Sequence, residues 1–224
     1  MHKSTPPSRR RGRGAGRPGG DEPDLREALL DAAIARFVKV GIGAASLRSI
    51  ATGAGVTPAM LHYYFGDKDR LVQAMIEERL LPALGQMEAR LQSAGNDPAK
   101  LIEGFVRGIG DVISSHPWLP PLWVREVLCE GGALRAVMRE QVAPRVPAVL
   151  AQRLAAAQAA GRMPADLDPR LLVMSLVGLT LFPAAGAPVW QKMFDVQTLQ
   201  PDVMIAHALT LLSRGVQLDL GGRT

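Results

Sequence analysis

Apolar positions recur every three or four residues along most of this chain, and no stretch alternates at the two-residue period of a half-buried strand. Leu25, Leu29, Ala33, Phe37 and Val40 mark one face of a first helix, which Gly41 closes. Ser46 stands where it can cap a short second helix carrying Leu47, Ile50 and Ala51, which Gly53 and Gly55 break. Thr57 and Pro58 open a third: a Thr oxygen can take an orphan N–H, and Pro at the first helical position has none to leave unpaired. Asp67 caps a fourth, which runs through Leu71, Met75 and Ile76 to about residue 91, where "SAGNDP" forms a linker. Helices are predicted again at about 98–115, 118–129, 131–141, 144–160, 168–190 and 201–216, each ended by Pro or Gly. The expected fold class is all-α, with nine or ten helices.

Within the third helix, Tyr63, Tyr64 and Phe65 stand side by side in "TPAMLHYYFGDK". Neighbours on a helix point about 100° apart, so one core face cannot hold all three rings. The preceding residues suggest where the odd ring goes. Ala51 is small where two short helices would cross, Gly55 permits a turn closed to most residues, and Val56 plugs the angle between them. Leu61 and Tyr64 then fall inward, while Thr57, Ala59, Met60, His62 and Tyr63 stay largely outside. That spacing is the pattern of a helix-turn-helix, whose second helix is offered to a major groove. An ordinary αα-hairpin fits the spacing as well but leaves His62 and Tyr63 without a role.

Charge divides the chain further. Of 26 basic residues, Lys3, Arg9, Arg10, Arg11, Arg13 and Arg17 lie in the first twenty positions, which hold none of the 21 acidic ones. The formal charge of +5 thus belongs to a tail, and the remainder is close to neutral. The predicted division is an Arg/Gly-rich arm over 1–20, a DNA-binding unit over 21–70 and a helical effector and dimer unit over 71–224. The arm has nothing to pack and no apolar segment of a secretory signal, so the expected location is cytoplasmic. It reads either as a solubilising leader or as a cationic arm lying on phosphates or in a minor groove. Cys129, the single cysteine, excludes an internal disulfide; its helical context, "LWVREVLCEGG", predicts a small buried side chain. The four histidines are scattered without metal-ligand spacing, and "GIGAAS" lacks the Lys of a phosphate loop. No metal and no cofactor are expected.

"SLRSIATGAGVTPAMLHYYFGDKDRLVQAM" closely resembles the DNA-binding segment of TetR-type transcriptional regulators over about residues 25–80. The likeness rests on Phe-x-x-x-Gly at the end of the first helix, Ile-Ala, Ala-Gly-Val, the Tyr-Phe end of the third helix and Asp-Lys-Asp at the start of the fourth. Beyond that the chain matches in general plan only. The resemblance implies that Ser46 contacts phosphate and that Arg48 reads a base or grips the backbone. It also implies that Thr57, Pro58, Ala59 and Met60 line the leading edge of the recognition helix, with Tyr63 at backbone or base edges and Lys68 on phosphate. His62 departs from the usual Tyr, which makes that contact weaker or pH-dependent. The leading edge is apolar, so thymine methyl groups are the expected base contacts.

From Leu171 to Trp190 the chain carries no charge, a length that could span a bilayer. Pro183, Pro188, Gly178 and Gly186 speak against a span, as does the lack of flanking cation clusters, and a helix apolar all round also suits a subunit interface. In the family plan, 168–187 and 201–216 form the homodimer contact, with no membrane. The same plan places a small-molecule effector among the middle helices, where Phe105, Ile109, Trp118, Leu122, Trp123, Met138 and Met174 are large and soft beside Arg125 and Glu126. Side chains so spaced are equally an ordinary core. Three function classes follow. One is a dimeric repressor released from a palindromic operator in double-stranded DNA by an apolar or aromatic ligand; the others are an architectural DNA-binding protein driven by the arm and a helical enzyme. No nucleophile–base set or metal cluster supports the enzyme.

Overall fold

The computed structural model describes residues 25–196 and 200–215, and every regular element among them is helical. A long helix and two short ones come first: α1 (Leu25–Val40), α2 (Leu47–Gly53) and α3 (Pro58–Phe65). Then α4 (Lys68–Met75) passes through a π turn at Ile76–Leu80 into α5 (Leu81–Ser93). The wide turn lies just ahead of Pro82, whose ring would otherwise press on the carbonyl four residues back. The predicted fourth helix is thus one rod with a widened turn inside it. Next come α6 (Pro98–Ser115), α7 (Leu119–Trp123) with a π turn at Val124–Leu128, and α8 (Arg135–Val137) with a π turn at Met138–Val142. The chain ends in α9 (Pro147–Ala159), α10 (Pro169–Met193) and α11 (Pro201–Gly215).

Two apolar clusters hold these elements. The first gathers Leu29, Leu30, Ile34 and Phe37 of α1 with Ile50, Ala51, Leu61, Phe65, Leu71 and Met75 of α2–α4. Leu122 and Leu134, from the α7–α8 region, insert into this same cluster. The second is built on α6, whose Leu101, Phe105, Val106, Ile109 and Ile113 meet buried residues of α5, α9, α10 and α11. Arg26 ties the start of α1 to both neighbours: its guanidinium forks onto the Glu78 carboxylate and lies 4.9 Å from the centre of the Phe65 ring.

Several expectations are corrected. The helix predicted over 131–141 begins only at Arg135, because Gly131 takes φ +76° and the chain turns there instead. Cys129, expected to be buried, is exposed at the end of the second π turn. In α3, Leu61 and Phe65 are the buried pair, four residues apart on one face, while Tyr64 is half-buried beside them. Met60, expected outside, is half-buried. Thr57 occupies the N-cap position in extended backbone, yet its hydroxyl makes no cap bond; its carbonyl takes the Met60 N–H at 3.0 Å. α10 extends to Met193 through Pro183 and Pro188, and the Trp190 indole N–H donates to the Pro183 carbonyl at 2.7 Å. By length and composition this helix could cross a membrane; here Val173, Leu176, Thr180 and Leu181 are buried in the fold, and it packs on α6, α7, α9 and α11.

Candidate nucleic-acid interface

The α2–α3 corner is built by local chemistry. The Ser46 hydroxyl accepts from the Ser49 N–H at 3.1 Å while the Ser46 N–H donates to the Ser49 hydroxyl at 3.2 Å, so the pair form a capping box. Ala51 is fully buried under the crossing, and its carbonyl accepts from the Val56 N–H at 3.0 Å. Between them Gly55 adopts φ +70°, which costs a residue with a Cβ about 1–2 kcal/mol. Anchored by Leu61 and Phe65, α3 turns its other face outward. Tyr63 is 85% exposed and stacks edge-on against Tyr64 with ring centres 5.3 Å apart.

The exposed face gathers most of the predicted contact residues. Ser46, Arg48, Thr57, Pro58, Ala59, His62 and Tyr63 are all exposed, and the Arg48 guanidinium makes no ion pair among the described residues. His62 is held in one orientation: its Nδ1–H donates to the Gly66 carbonyl at 2.5 Å, since that oxygen can only accept. Nε2 is the ring atom left for a partner outside the chain. Lys68 is half-buried at the head of α4, and its Nζ donates to the carbonyls of Ile42 at 3.1 Å and Gly43 at 3.0 Å. The ammonium thus secures the α1–α2 connection and keeps a third N–H for other partners. Arg9, Arg10, Arg11, Arg13 and Arg17 of the arm lie outside the described residues.

A second feature lies in the other cluster. An apolar cavity of ≈ 270 Å³ lies between α5, α6, α7, α10 and the two later π turns, with the exposed Leu128 and Met174 at its rim. Phe105, Ile109, Trp123, Met138 and Met174 line it, as the sequence suggested. Trp118 and Leu122 do not: they pack into the α1–α4 cluster instead. Arg125 is exposed and borders a separate surface cleft beside Gly41, Cys129 and Phe182. Among the lining residues that sequence reasoning missed are Leu80 at the end of the first π turn, Ala83, Leu84 and Met87 on α5, and Val142 and Val146. Their helical spacing is visible in the sequence, but nothing distinguishes an aliphatic cavity wall from a filled core. Every lining residue is apolar, so the cavity can hold hydrocarbon or aromatic matter and offers no partner to a charge.

Comparison with known proteins agrees with this architecture. The family model described as "Bacterial regulatory proteins, tetR family" matches residues 29–75, and "Tetracyclin repressor-like, C-terminal domain" matches residues 98–212. The HTH-type transcriptional regulator BetI of Rhizobium meliloti (strain 1021) is 36% identical over 88 residues, which cover 39% of this chain and 43% of that protein. The chain thus spans less than half the length of this relative. Among solved structures, the fatty acid degradation regulator FadR from Bacillus halodurans superposes with a TM-score of 0.64 at 18% identity, covering 88% of this chain and 98% of that one. The ketosteroid transcriptional regulator KstR2 of Mycobacterium tuberculosis gives 0.63 at 19% identity, covering 89% and 98%.

Proposed function

Because this chain belongs to the tetR family of bacterial regulatory proteins, a family of regulators and not of enzymes, we infer that it acts as a homodimeric repressor of transcription. The observation that carries this reading is the outward face of α3, where a ring as large as Tyr63 is left 85% exposed beside Thr57, Ala59 and His62. Among the described residues its ring meets only the edge of Tyr64, and a major groove supplies a partner for the face left open. Base contact falls to Arg48 and Tyr63, with apolar contact from Pro58, Ala59 and Met60; phosphate contact falls to Ser46, His62 and Lys68. The arm's arginines add further phosphate contacts on chromosomal DNA in the cytoplasm.

Homodimer formation falls to α10 and α11. On α10, Leu171, Met174, Gly178, Phe182, Val189 and Met193 follow one another at helical spacing, and all are exposed. An uncharged stripe of this length is costly to leave in water, and a second copy of the same stripe covers it with two-fold symmetry. The effector is an uncharged apolar or aromatic molecule held in the ≈ 270 Å³ cavity, and its binding releases the operator. Selection of bound sites from random DNA with the full-length chain, followed by footprinting, tests the whole reading. A repressor protects one short palindrome. Broad protection would mean an architectural protein, and no protection would remove DNA binding altogether.

A further inference from the structure

Glu126 is a buried carboxylate with only 4% of its surface exposed, and no cation pairs with it among the described residues. It sits in the π turn Val124–Leu128, and both its oxygens are used. Oε1 accepts from the Ile42 N–H at 2.8 Å, across 84 residues of chain, and Oε2 accepts from the Ala133 N–H at 2.9 Å. Its own carbonyl accepts from the Leu134 N–H at 3.0 Å. The backbone around it is shaped to admit it. Gly41 takes φ +89°, and a Cβ there would stand 3.2 Å from Oε1; a Cβ on Gly132 would run into the Glu126 carbonyl.

The two faces of this turn meet different parts of the molecule. Trp123, Val127 and Leu128 line the apolar cavity. Glu126 grips Ile42, whose carbonyl is in turn held by Lys68 Nζ at 3.1 Å. One residue, through the N–H of one peptide and the carbonyl of the next, thus connects a cavity wall to the head of α4, a few residues before the Ser46 cap of α2. Burying a carboxylate is costly unless its lone pairs are filled, and an apolar side chain would satisfy packing without that cost. A buried carboxylate with these two N–H partners sets the position of the α1–α2 connection relative to the cavity wall. π turns inside helices commonly serve such adjustable sites.

We propose that Glu126 is the positioning residue through which occupancy of the apolar cavity shifts Ile42 and Lys68 and so weakens DNA binding. This rests on the cavity being the effector site. Anything that spreads the cavity displaces the Trp123–Leu128 turn, and the carboxylate carries that displacement to Ile42 because both ends are hydrogen-bonded and buried. Glu126→Gln keeps the shape but replaces one acceptor by an NH2 group, which faces an N–H and loses that bond.

The test uses the full-length chain, DNA sites selected from random sequence, and N-phenyl-1-naphthylamine as an uncharged fluorescent probe of the cavity. The wild-type protein should bind the probe and lose about tenfold in DNA affinity when it does, within the usual range for coupled sites. Glu126→Gln should bind the probe with an affinity within about twofold of wild type, yet its DNA affinity should respond less than about twofold, the coupling rather than either site being lost. A full response in Glu126→Gln overturns the proposal. Failure of the wild-type cavity to bind the probe overturns the effector-site reading and this inference with it; binding without DNA release overturns the coupling alone. Hydrogen exchange on the wild type needs no variant: probe binding should change the exchange of the Ile42 and Ala133 amides, and unchanged rates overturn the proposal.

Discussion

His62 and Lys68 show how a side chain's internal bonds limit what it can offer a polyanion. With Nδ1–H committed to the Gly66 carbonyl, His62 has only Nε2 left to offer a phosphate. His62→Ala should therefore weaken operator and random DNA alike if Nε2 meets a phosphate, and unchanged affinity would exclude that contact. Arg70, Glu77 and Glu78 border the same surface and set the local field. Lys68 has two N–H groups on the Ile42 and Gly43 carbonyls, so Lys68→Ala should weaken operator and random DNA alike while also lowering thermal stability. Arg48→Ala and Tyr63→Ala should instead narrow the gap between operator and random DNA by about 1–3 kcal/mol each, since base contacts carry sequence information and phosphate contacts do not. Parallel titrations on selected and scrambled sites decide it. A change of preferred sequence in Lys68→Ala but not in Arg48→Ala would reverse the assignments.

Among elements, the ion pair of Arg26 and Glu78 couples α1 to the π turn after α4. The Arg26 hydrogen bond, reinforced by its charge, holds the Glu78 carboxyl below the ordinary carboxylate range. A lowered pKa in the fold means the pair's stabilisation is present above the unfolded-state value and is lost as pH falls through the folded one. Glu78→Gln should remove that acid sensitivity from thermal melts, with an effect of about 0–1 kcal/mol because both side chains are roughly one-third exposed. On α10, Phe182→Glu would place a charge in the middle of the uncharged stripe. If this stripe is the subunit contact, sedimentation should show dimers for the wild type and monomers for the variant, and a variant dimer would move the contact elsewhere.

The same elements show what periodicity can and cannot carry. Phe37, Ala51, Leu61 and Leu71 are fully buried where the three-to-four spacing puts them, because one helix face has one place to go. The short middle segments are less legible. Trp118 and Leu122 have the spacing of a pocket wall but pack into the α1–α4 cluster, a choice made by long-range packing that no local pattern encodes. Cys129 is exposed because the π turn ends at Leu128, Cys129 itself is extended, and the chain turns at Gly131 with φ +76°. Of the contact face, Tyr63 was readable because three adjacent rings cannot share one side of a helix. Glu126 was not readable as a linchpin, since its partners Ile42 and Ala133 become neighbours only in the folded chain.

At the scale of the whole molecule the unequal distribution of charge makes its own prediction. The formal charge is +5, but residues 21–70 carry Arg26, Arg36, Lys39, Arg48, Lys68 and Arg70 against seven acidic residues. Six cations against seven acids leave this unit a formal charge of −1, and Arg26 and Lys68 are in addition engaged by Glu78 and by two carbonyls, so it offers no net positive charge to a polyanion. Positions 1–20 lie outside the described residues and carry six cations with no anion. Each phosphate neutralised adds roughly −0.9 to the slope of log affinity against log salt. If the arm engages DNA, removal of residues 1–20 should flatten that slope by several units and weaken selected and random DNA in equal proportion, leaving the preferred sequence unchanged. Titrations of full-length and truncated protein across a range of salt measure it. An unchanged slope would assign the phosphate contacts to Ser46, His62, Lys68 and the helix N-termini alone.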